Sequence, residues 1–183
     1  AMVAGGAVRN ALMGVAINDV DFCTTLLPHE VMARCEAAGH KAIPTGIDHG
    51  TVTVVVDETA FEVTTLREDI ETDGRHAIVQ FGKDWQADAN RRDLTINGLY
   101  CDREGQVFDF VDGVPDIKSK SVRFIGDAST RIKEDALRIL RVFRFFAWSG
   151  CGRPDADGLK ACVATREALQ NLSAERVRGA LKR

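Results

Sequence analysis

The spacing of apolar residues changes near residue 125, and this change limits the chain to one kind of architecture. Before it, short runs rich in valine and threonine indicate β-strands. We predict strands over residues 2–5, 20–24, 51–56, 60–65, 99–102 and 106–110. After it, apolar residues recur at helical spacing. We predict helices over residues 128–148, 155–169 and 173–183, the last with Ser173 as N-cap. The expected fold is a mixed α/β (α+β) domain over 1–125 followed by an all-helical segment over 126–183.

Glycine, proline and polar clusters divide the first part further. We predict a short helix over 7–13 ended by Gly14, a helix from Pro28 to about Gly39, and a hairpin turn at 57–59. Residues 86–99 have helical composition. The polar segment 67–85 is expected to be a mobile loop, poorly ordered from Asp73 to Trp85, and the segment through 112–115 a turn-rich connector.

The composition excludes several classes of protein. Hydrophobic residues make up 45% and charged residues 28% of the chain, as in an ordinary globular protein. No apolar run approaches the roughly 18 residues that a membrane helix needs. The five cysteines are widely spaced and form no C-x-x-C pair, so neither a disulfide framework nor a zinc site is expected. Reduced thiols and the absence of a signal peptide favour the cytoplasm, and the abrupt start at Ala1 suggests a trimmed N-terminus.

The net charge of -3 conceals two oppositely charged parts. Residues 1–122 hold 11 Lys and Arg against 20 Asp and Glu, whereas residues 123–183 hold 13 against 7. An acidic part suited to divalent cations is therefore joined to a basic part suited to phosphate. Random variation of surface charge would also explain the difference, so charge alone does not identify a partner.

A pair of acids opens the second predicted strand. Side chains two apart on a strand point to the same face, so Asp19 and Asp21 are predicted to project together while Val20 enters the core. Paired carboxylates are ligands that suit Mg²⁺. Glu62, on a later strand, is a candidate third carboxylate for two-metal nucleotidyl transfer. A D-x-D triplet also occurs at ordinary solvated strand ends, so these residues are candidates and not yet a site.

A glycine pair lies about a dozen residues before these acids. Gly5 and Gly6 would let backbone N–H groups approach a phosphate, and Arg9 lies in the first turns of the helix that follows. The sequence is neither a P-loop nor a dinucleotide-binding fingerprint. A plain turn remains the alternative.

Two arginine-containing segments supply further candidates. In the first, Arg92 and Asp93 are suited to phosphates and a sugar hydroxyl, and Asn97 adds an amide. Surface ion pairs at a helix end would produce the same pattern.

In the second segment, the run from Glu134 to Arg138 is followed by Arg141 and Arg144. If Asp135 and Arg138 share a helix face, they could together contact the edge of a nucleotide base. The Asp135 carboxylate would accept from an exocyclic amine of the base, and the Arg138 guanidinium would donate to the adjacent ring nitrogen. Cytosine and adenine offer that pair, whereas uracil and guanine do not. Ion pairs on a wet helix face are the alternative explanation.

The order of seven segments resembles the class II CCA-adding enzyme and bacterial poly(A) polymerase family, within the polymerase β-like nucleotidyltransferase superfamily. The segments cover nearly the whole chain and read V-A-G-G-A-V-R-N-A-L-M-G, D-V-D-F, F-E-V-T-T-L-R, R-R-D-L-T-I-N-G, D-F-V-D-G-V-P-D-I, E-D-A-L-R-I-L-R and L-S-A-E-R-V-R. Asn10 stands where the family usually has Asp, and Gly98 where it usually has Ala.

The resemblance implies a head domain with a five-stranded mixed sheet, a hinge over 109–116 and a helical neck. It implies that Asp19 and Asp21 bind the metal with Glu62 as a possible third acid. It implies nucleotide-binding roles for Gly5, Gly6, Arg9, Arg92, Asp93, Asn97, Glu134, Asp135, Arg138 and Arg141. Glu134, Asp135 and Arg138 would select the base.

The implied activity is template-independent addition of CCA to tRNA 3′ ends from CTP and ATP, with Mg²⁺. Because the family's RNA-binding body and tail would follow residue 183, weak RNA binding is expected of these residues alone. A bacterial poly(A) polymerase is the nearest alternative, and CCA addition is favoured because no extra basic neck signature is found. A small-molecule nucleotidyltransferase and a non-catalytic RNA-binding module are more distant. The E-D-A-L-R helix argues against the former, and the three acids argue against the latter.

Overall fold

A seven-stranded mixed sheet forms the first part of the molecule. The computed structural model describes residues 1–72 and 77–182, with the side chains of all of these except 68–72, 77–79 and 182. The sheet strands are β1 (Met2–Ala4), β2 (Asp21–Thr24), β3 (Lys41–Gly46), β4 (Thr51–Val56), β5 (Thr59–Thr65), β8 (Leu99–Cys101) and β9 (Val107–Asp109). They lie in the order β3-β4-β5-β2-β1-β8-β9. Among the described strands of this sheet, only β2 and β5 pair in parallel.

Helices flank the sheet and then make up the second part. The α-helices are α1 (Gly6–Met13), α2 (Pro28–Ala37), α3 (Trp85–Asn90), α4 (Gly113–Ser119), α5 (Ala128–Glu134), α6 (Leu137–Ser149), α7 (Ala156–Ala164) and α8 (Ala174–Lys182). Short 3₁₀ turns cover Ile47–His49, Thr95–Asn97 and Arg166–Asn171. The mixed α/β fold followed by helices is confirmed. The predicted helix that ends at Gly14 and the predicted helix that begins at Pro28 are also confirmed. Gly14 itself has the left-handed backbone conformation typical of a residue that ends a helix.

The sheet has seven strands and not the five expected. All six predicted runs are strands, and β3 is the strand that the sequence did not predict. It contains Pro44, which has no backbone N–H to donate to a neighbouring strand. The strand lies at the edge of the sheet, and its register with β4 shifts between Ile43 and Gly46. An edge position with an irregularity is where a proline is tolerated.

The segment expected to be a loop over 67–85 is largely regular. Strands β6 (Arg67–Thr72) and β7 (Ala77–Phe81) form a separate antiparallel pair. The pair is anchored at its base, where Gly82 N–H donates to the carbonyl oxygen of the fully buried Leu66 (2.8 Å). Charged composition led to the loop prediction, but backbone pairing does not require an apolar face. The middle of the expected loop, residues 73–76, lies outside the described residues.

The connector through 112–115 is also regular, because it forms α4. The Asp109 carboxylate accepts from the backbone N–H groups of Val111, Gly113 and Val114, at 3.1, 3.0 and 2.8 Å. These bonds satisfy donors at the start of the helix that have no partner within it. Pro115 lies in the first turn, where proline is tolerated.

The helix predicted over 128–148 is interrupted. Asp135 is extended, with φ -155° and ψ 108°, and it separates α5 from α6. Its carboxylate accepts from Leu137 N–H at 3.0 Å, so the side chain competes with helix continuation and caps the next helix instead. The helix predicted over 155–169 divides into α7 and a 3₁₀ turn. Ser173 lies before α8 and its hydroxyl accepts from Arg176 N–H (3.4 Å), as its predicted capping role requires.

One hydrophobic core extends across the predicted boundary near residue 125. Leu94 and Ile96, between α3 and β8, pack with Phe124, Ile132 and Phe145. Two smaller clusters pack against the sheet, one around Tyr100 and Leu66 and one around Val52. Among the described residues no helix is both long and apolar enough to cross a membrane.

Candidate active site

The candidate site is a cleft between the sheet and the start of α6. Its cavity volume is about 510 Å³, and we call it the arginine cleft. The residues that line it are Ala4, Gly5, Gly6, Arg9, Asp21, Phe22, Cys23, Glu62, Thr64, Arg67, Arg91, Arg92, Asp93, Asn97, Asp135, Leu137, Arg138, Arg141, Arg144 and Phe145. Eleven of the thirteen predicted site residues are in this set, so residues from Gly5 to Arg141 meet in one cavity.

The glycine turn connects β1 to α1 at the floor of the cleft. Gly5 has φ +66°, and a Cβ there would lie 3.2 Å from a guanidinium nitrogen of Arg92. Its N–H donates to the Leu99 carbonyl oxygen of β8 (2.9 Å). A side chain at this position would therefore be strained and would press on Arg92. The turn is tied to the sheet and brings the N-terminus of α1 to the cavity.

The three acids come from neighbouring backbone segments. Asp21 begins β2 and lies opposite Glu62 in the parallel pair with β5. Asp19 precedes the strand, so the argument from strand alternation does not apply to it. Asp19 and Asp21 nevertheless line one cavity of about 660 Å³, which adjoins the arginine cleft and which we call the aromatic pocket. Among the described residues, no group of three or more His, Cys, Asp or Glu side chains is arranged to hold a metal ion.

Arg9 is the most buried cation of the site, with 8% of its surface exposed. Its guanidinium donates to the side-chain oxygens of Asn97 and Asn10. It also lies 4.7 Å from the Phe145 ring centroid and 5.1 Å from that of Trp148. Burial, together with the nearby positive charges of Arg141 and Arg144, lowers the pKa of Arg9 to about 10 against the opposing effect of Asp93.

Three guanidinium groups converge on one aromatic ring. Arg9, Arg141 and Arg144 lie 4.7, 5.6 and 4.7 Å from the centroid of Phe145. Cations are attracted to the ring face, but they repel one another. A polyanion in the cleft would relieve that repulsion. The helical spacing of arginines 138, 141 and 144 was recognisable in the sequence. Phe145 was not identified as a site residue, because an aromatic residue on a helix usually belongs to the core.

Asp93 and Asn97 form a hydrogen-bonded chain between these arginines. The Asp93 carboxylate accepts from Leu94 N–H (2.8 Å), from the Asn97 amide (3.1 Å) and from Arg141. Although burial raises the pKa of Asp93, the Arg141 guanidinium more than offsets this and holds that pKa below its usual value. The chain fixes Arg9 through Asn97 and fixes Arg141 directly.

Arg92 is held by a buried acid that the sequence did not identify. Asp88 is fully buried and accepts from Arg91, from Arg92 (3.1 Å) and from the Tyr100 hydroxyl (2.7 Å). Arg92 also donates to the Cys23 sulfur at 3.2 Å. The sequence pattern does not single out Asp88, because an acidic residue in a helix of polar composition is expected to be exposed to solvent. Arg67 and Arg91, which also line the cleft, were likewise missed.

The base-selecting candidates are arranged differently from a shared helix face. Arg138 lies in α6 and is ion-paired with Glu134 at 2.6 Å. Glu134 does not line the cleft but supports Arg138 from α5. Asp135 lies in the break between the helices and is ion-paired with Arg176 of α8 (3.0 Å). Asp135 and Arg138 still line the same cavity.

The fold and the cleft define an α/β protein that presents acids and arginines to one cavity, an arrangement suited to a metal-bound polyphosphate. Comparison with known proteins gives the family. The sequence profile described as "Poly A polymerase head domain" matches residues 1–123. The chain belongs to this family.

Curated relatives and a solved structure extend the similarity beyond residue 123. The chain is 46% identical to CCA tRNA nucleotidyltransferase 1, mitochondrial, of both Danio rerio and Homo sapiens, over 99% of its own length. It is 43% identical over 94% of its length to the CCA-adding enzyme of Oceanobacillus iheyensis. It covers only 42–43% of these relatives.

The structure of the Bacillus stearothermophilus CCA-adding enzyme in complex with CTP superposes on it with a TM-score of 0.87 at 35% identity. That match covers 98% of this chain and 42% of that one. The similarity in three dimensions therefore extends over both the sheet and the helical part.

Proposed function

We propose that the protein is a template-independent RNA nucleotidyltransferase that adds CCA to tRNA 3′ ends from CTP and ATP. The observation that carries this proposal is the single cleft in which Asp21 and Glu62 face a cluster of arginines and the Asp135–Arg138 pair. The names of the relatives support it, as does the CTP complex of the B. stearothermophilus enzyme. Because the chain spans about two-fifths of those relatives, the activity of the whole protein is inferred and not observed.

The donor set fits a hard divalent cation, and we propose Mg²⁺. Carboxylate oxygens from Asp19 and Asp21 line one cavity, and Glu62 lies beside Asp21 on the next strand. Mg²⁺ is typically held by one or two carboxylates, with water and substrate phosphates completing the shell, so a larger cluster of acids is not required. When bound, it would lower the pKa of the attacking hydroxyl and neutralise charge on the triphosphate.

The arginines supply the binding of the triphosphate. Arg9 and Arg141 are fixed by Asn97 and Asp93, and Arg92 is fixed by Asp88. Side chains held by neighbouring hydrogen bonds lose little freedom on binding and donate in fixed directions. Backbone N–H groups at the start of α1, from Gly6 onward, add further donors, whereas the Gly5 N–H is already bonded to the Leu99 carbonyl oxygen.

In the proposed reaction, the 3′-hydroxyl oxygen of the RNA bonds to the α-phosphorus of the nucleotide. The bond from that phosphorus to the bridging oxygen of the β-phosphate breaks, pyrophosphate leaves, and the hydroxyl proton passes to water. The arginine cleft would bind the departing pyrophosphate, whose charge rises as the bond breaks.

Base selection is assigned to Asp135 and Arg138. The carboxylate of Asp135 would accept from the exocyclic amine of cytosine or adenine, and Arg138 would donate to the adjacent ring nitrogen. A carboxylate has about four acceptor positions, so Asp135 retains capacity beside Arg176 and Leu137 N–H. Glu134 fixes the Arg138 guanidinium and thereby its direction of donation.

A bacterial poly(A) polymerase is the second candidate, because the matched family profile carries that name. The chemistry and the cleft would be the same, with adenylate as the only nucleotide. For the compartment we propose the cytoplasm, since all five cysteines are free thiols. The mitochondrial naming of the vertebrate relatives makes the mitochondrion the alternative.

Incorporation of labelled CTP, ATP, UTP and GTP on tRNA lacking its 3′ CCA, with Mg²⁺ present, tests the proposal. We expect ordered addition of two C and one A. Replacement of Asp21 by Ala should lower the rate by roughly 10³-fold or more, since a lost metal ligand costs several kcal/mol of transition-state stabilisation. The matched control, Asp48→Ala, alters an exposed acid away from the cleft and should leave the rate unchanged.

The other outcomes separate the alternatives. Long A tails without C would move the assignment to poly(A) polymerase. A complete lack of RNA extension, with nucleotide binding intact, would contradict both and direct the search to a small-molecule acceptor.

A further inference from the structure

The aromatic pocket adjoins the arginine cleft but shares only two of its seven arginines. It is lined by Gly6, Arg9, Asn10, Val15, Ala16, Asn18, Asp19, Asp21, Arg144, Phe145 and Trp148. Of these, Gly6, Arg9, Asp21, Arg144 and Phe145 also line the arginine cleft. The two cavities therefore adjoin along a wall that contains Asp21 and Arg9.

The lining of the aromatic pocket differs in chemistry from that of the arginine cleft. The cleft is bordered by seven arginines. The aromatic pocket is bordered by two, Arg9 and Arg144, together with the two acids Asp19 and Asp21, two asparagines and apolar side chains. A triphosphate carries several negative charges and is better matched by the cleft. An RNA terminus brings a base and a single phosphate per nucleotide, which match an aromatic surface with two cations.

Trp148 is the exposed aromatic residue of this pocket. It lies near the end of α6 with 50% of its surface exposed, although tryptophan is usually largely buried. Arg9 lies 5.1 Å from its ring centroid, and the Phe145 ring lies 6.2 Å away. Val15 of the same pocket is also 39% exposed. Exposed aromatic surface beside a guanidinium is the usual means of binding a single-stranded base.

We propose that Trp148 is the stacking surface for the 3′-terminal base of the acceptor RNA. This inference rests on the proposed function, because transfer requires two nucleotide-sized ligands that meet at the acids. With the nucleotide in the arginine cleft, the acceptor hydroxyl reaches Asp21 from the adjoining pocket. Arg144 and Arg9 then lie beside the terminal phosphate, and the base lies against the indole.

Steady-state kinetics on tRNA lacking its 3′ CCA test this assignment. Trp148→Ala should raise the KM for tRNA by roughly 5- to 100-fold, the range typical of a lost base–aromatic stack. The KM for CTP should stay within about twofold, because stacking of the acceptor base does not involve the triphosphate. Trp148→Phe should restore most of the affinity, since a smaller aromatic face remains.

The matched control is Phe143→Ala. Phe143 is 45% exposed on the same helix but borders a different, apolar cavity beside α7. It should leave both KM values unchanged. If Trp148→Ala raises the KM for CTP as much as that for tRNA, then Trp148 acts only by supporting Arg9, and the proposal is overturned.

A binding measurement separates this proposal from the proposed function. The chain has two tryptophans, so in Trp85→Phe the fluorescence reports Trp148 alone. A short single-stranded RNA ending in CC should quench it, and CTP alone should not. Absence of quenching at RNA concentrations that saturate the chain overturns the stacking role, even if CCA addition is observed. Quenching without any CCA addition would instead retain the aromatic site and reject the proposed reaction.

Discussion

Asp88 illustrates how one buried acid can organise a binding surface without contacting the ligand. It has no exposed surface and accepts hydrogen bonds from Arg91, Arg92, Tyr100 and the backbone N–H of Arg67. Burial raises its pKa, but Arg91 and Arg92 more than offset this, so the pKa lies below its usual value and the acid is ionised. Burial also raises the pKa of Tyr100, which stays a hydrogen-bond donor. Asp88 therefore sets the position of Arg92 in the cleft.

Replacing Asp88 with Asn should destabilise the protein by about 3 kcal/mol. The substitution keeps the shape but leaves Arg91 and Arg92 near a neutral amide, and removing one partner of a buried ion pair typically costs about 3–5 kcal/mol. The arginine side chains are 19% and 21% exposed, which places the cost at the low end of that range. Urea unfolding measures it.

The matched control for that experiment is Asp48→Asn, at an exposed position. It should change the free energy of unfolding by less than about 0.5 kcal/mol. Equal unfolding midpoints for the Asp88 and Asp48 variants would contradict the role assigned to Asp88.

The position of the hairpin between β4 and β5 could be predicted from the sequence, but the backbone strain in its turn could not. Its two turn residues, Asp57 and Glu58, both have positive φ, at 47° and 64°. Two such residues form the type I′ turn that matches strand twist, for which Asn-Gly and Asp-Gly are preferred. Glu58 occupies the position that favours glycine, so the turn stores a small amount of strain.

Glu58→Gly should therefore stabilise the protein by roughly 0.5–1 kcal/mol. Relief of the left-handed conformation gains about 1–2 kcal/mol, and the added freedom of glycine in the unfolded chain offsets part of it. At this chain length the melting temperature should rise by about 2–4 °C per kcal/mol, measurable by calorimetry. Glu104→Gly, at an exposed position whose own φ is not positive, should lower the melting temperature or leave it unchanged. A lower melting temperature for the Glu58 variant would contradict this account of the turn.

At the scale of the whole molecule, the oppositely charged parts of the chain face each other. Arg138, Arg141 and Arg144 come from the basic second part, and Asp21 and Glu62 come from the acidic first part. The hydrophobic core also joins the two parts of the chain, because Leu94 and Ile96 of the first part are buried against residues of α5 to α7 in the second. The backbone adds a link, since Thr95 N–H donates to the Arg123 carbonyl oxygen (3.1 Å) and Ile125 N–H to that of Asp93 (3.0 Å). The boundary near residue 125 remains a prediction, and the core crosses it.

We therefore predict that residues 1–125 alone do not unfold cooperatively. Leu94, Ile96 and Phe124 would be exposed to water, and the fragment should bind the dye ANS as partly folded states do. A chain ended after Leu172 lacks only α8, retains that core and should keep a sharp transition. Cooperative unfolding of the 1–125 fragment at the same urea midpoint as the whole chain would show that the sheet domain is independent.

Features that depend on near neighbours in the chain were predictable from the sequence. The six strands, the hairpin, the helix ended by Gly14 and the candidates in the E-D-A-L-R segment follow from periodicity, turn chemistry and residue type. Eleven of the predicted site residues line one cleft, which brings together the Gly5-Gly6 turn, β2, β5, the segment after α3 and the start of α6. Their roles in binding and catalysis remain proposals.

The remaining features were decided only by tertiary contacts. Strand β3 exists because β4 offers it a partner, and the break at Asp135 depends on capping of α6 and on Arg176 of α8. The meeting of Arg9 with Phe145 and Trp148 joins residues more than a hundred positions apart. Local patterns reflect interactions over a few residues, whereas these contacts depend on how distant segments pack. For that reason the sequence indicated the types of element and the candidate acids, and the three-dimensional fold determined which arginines are fixed and which aromatic ring they surround.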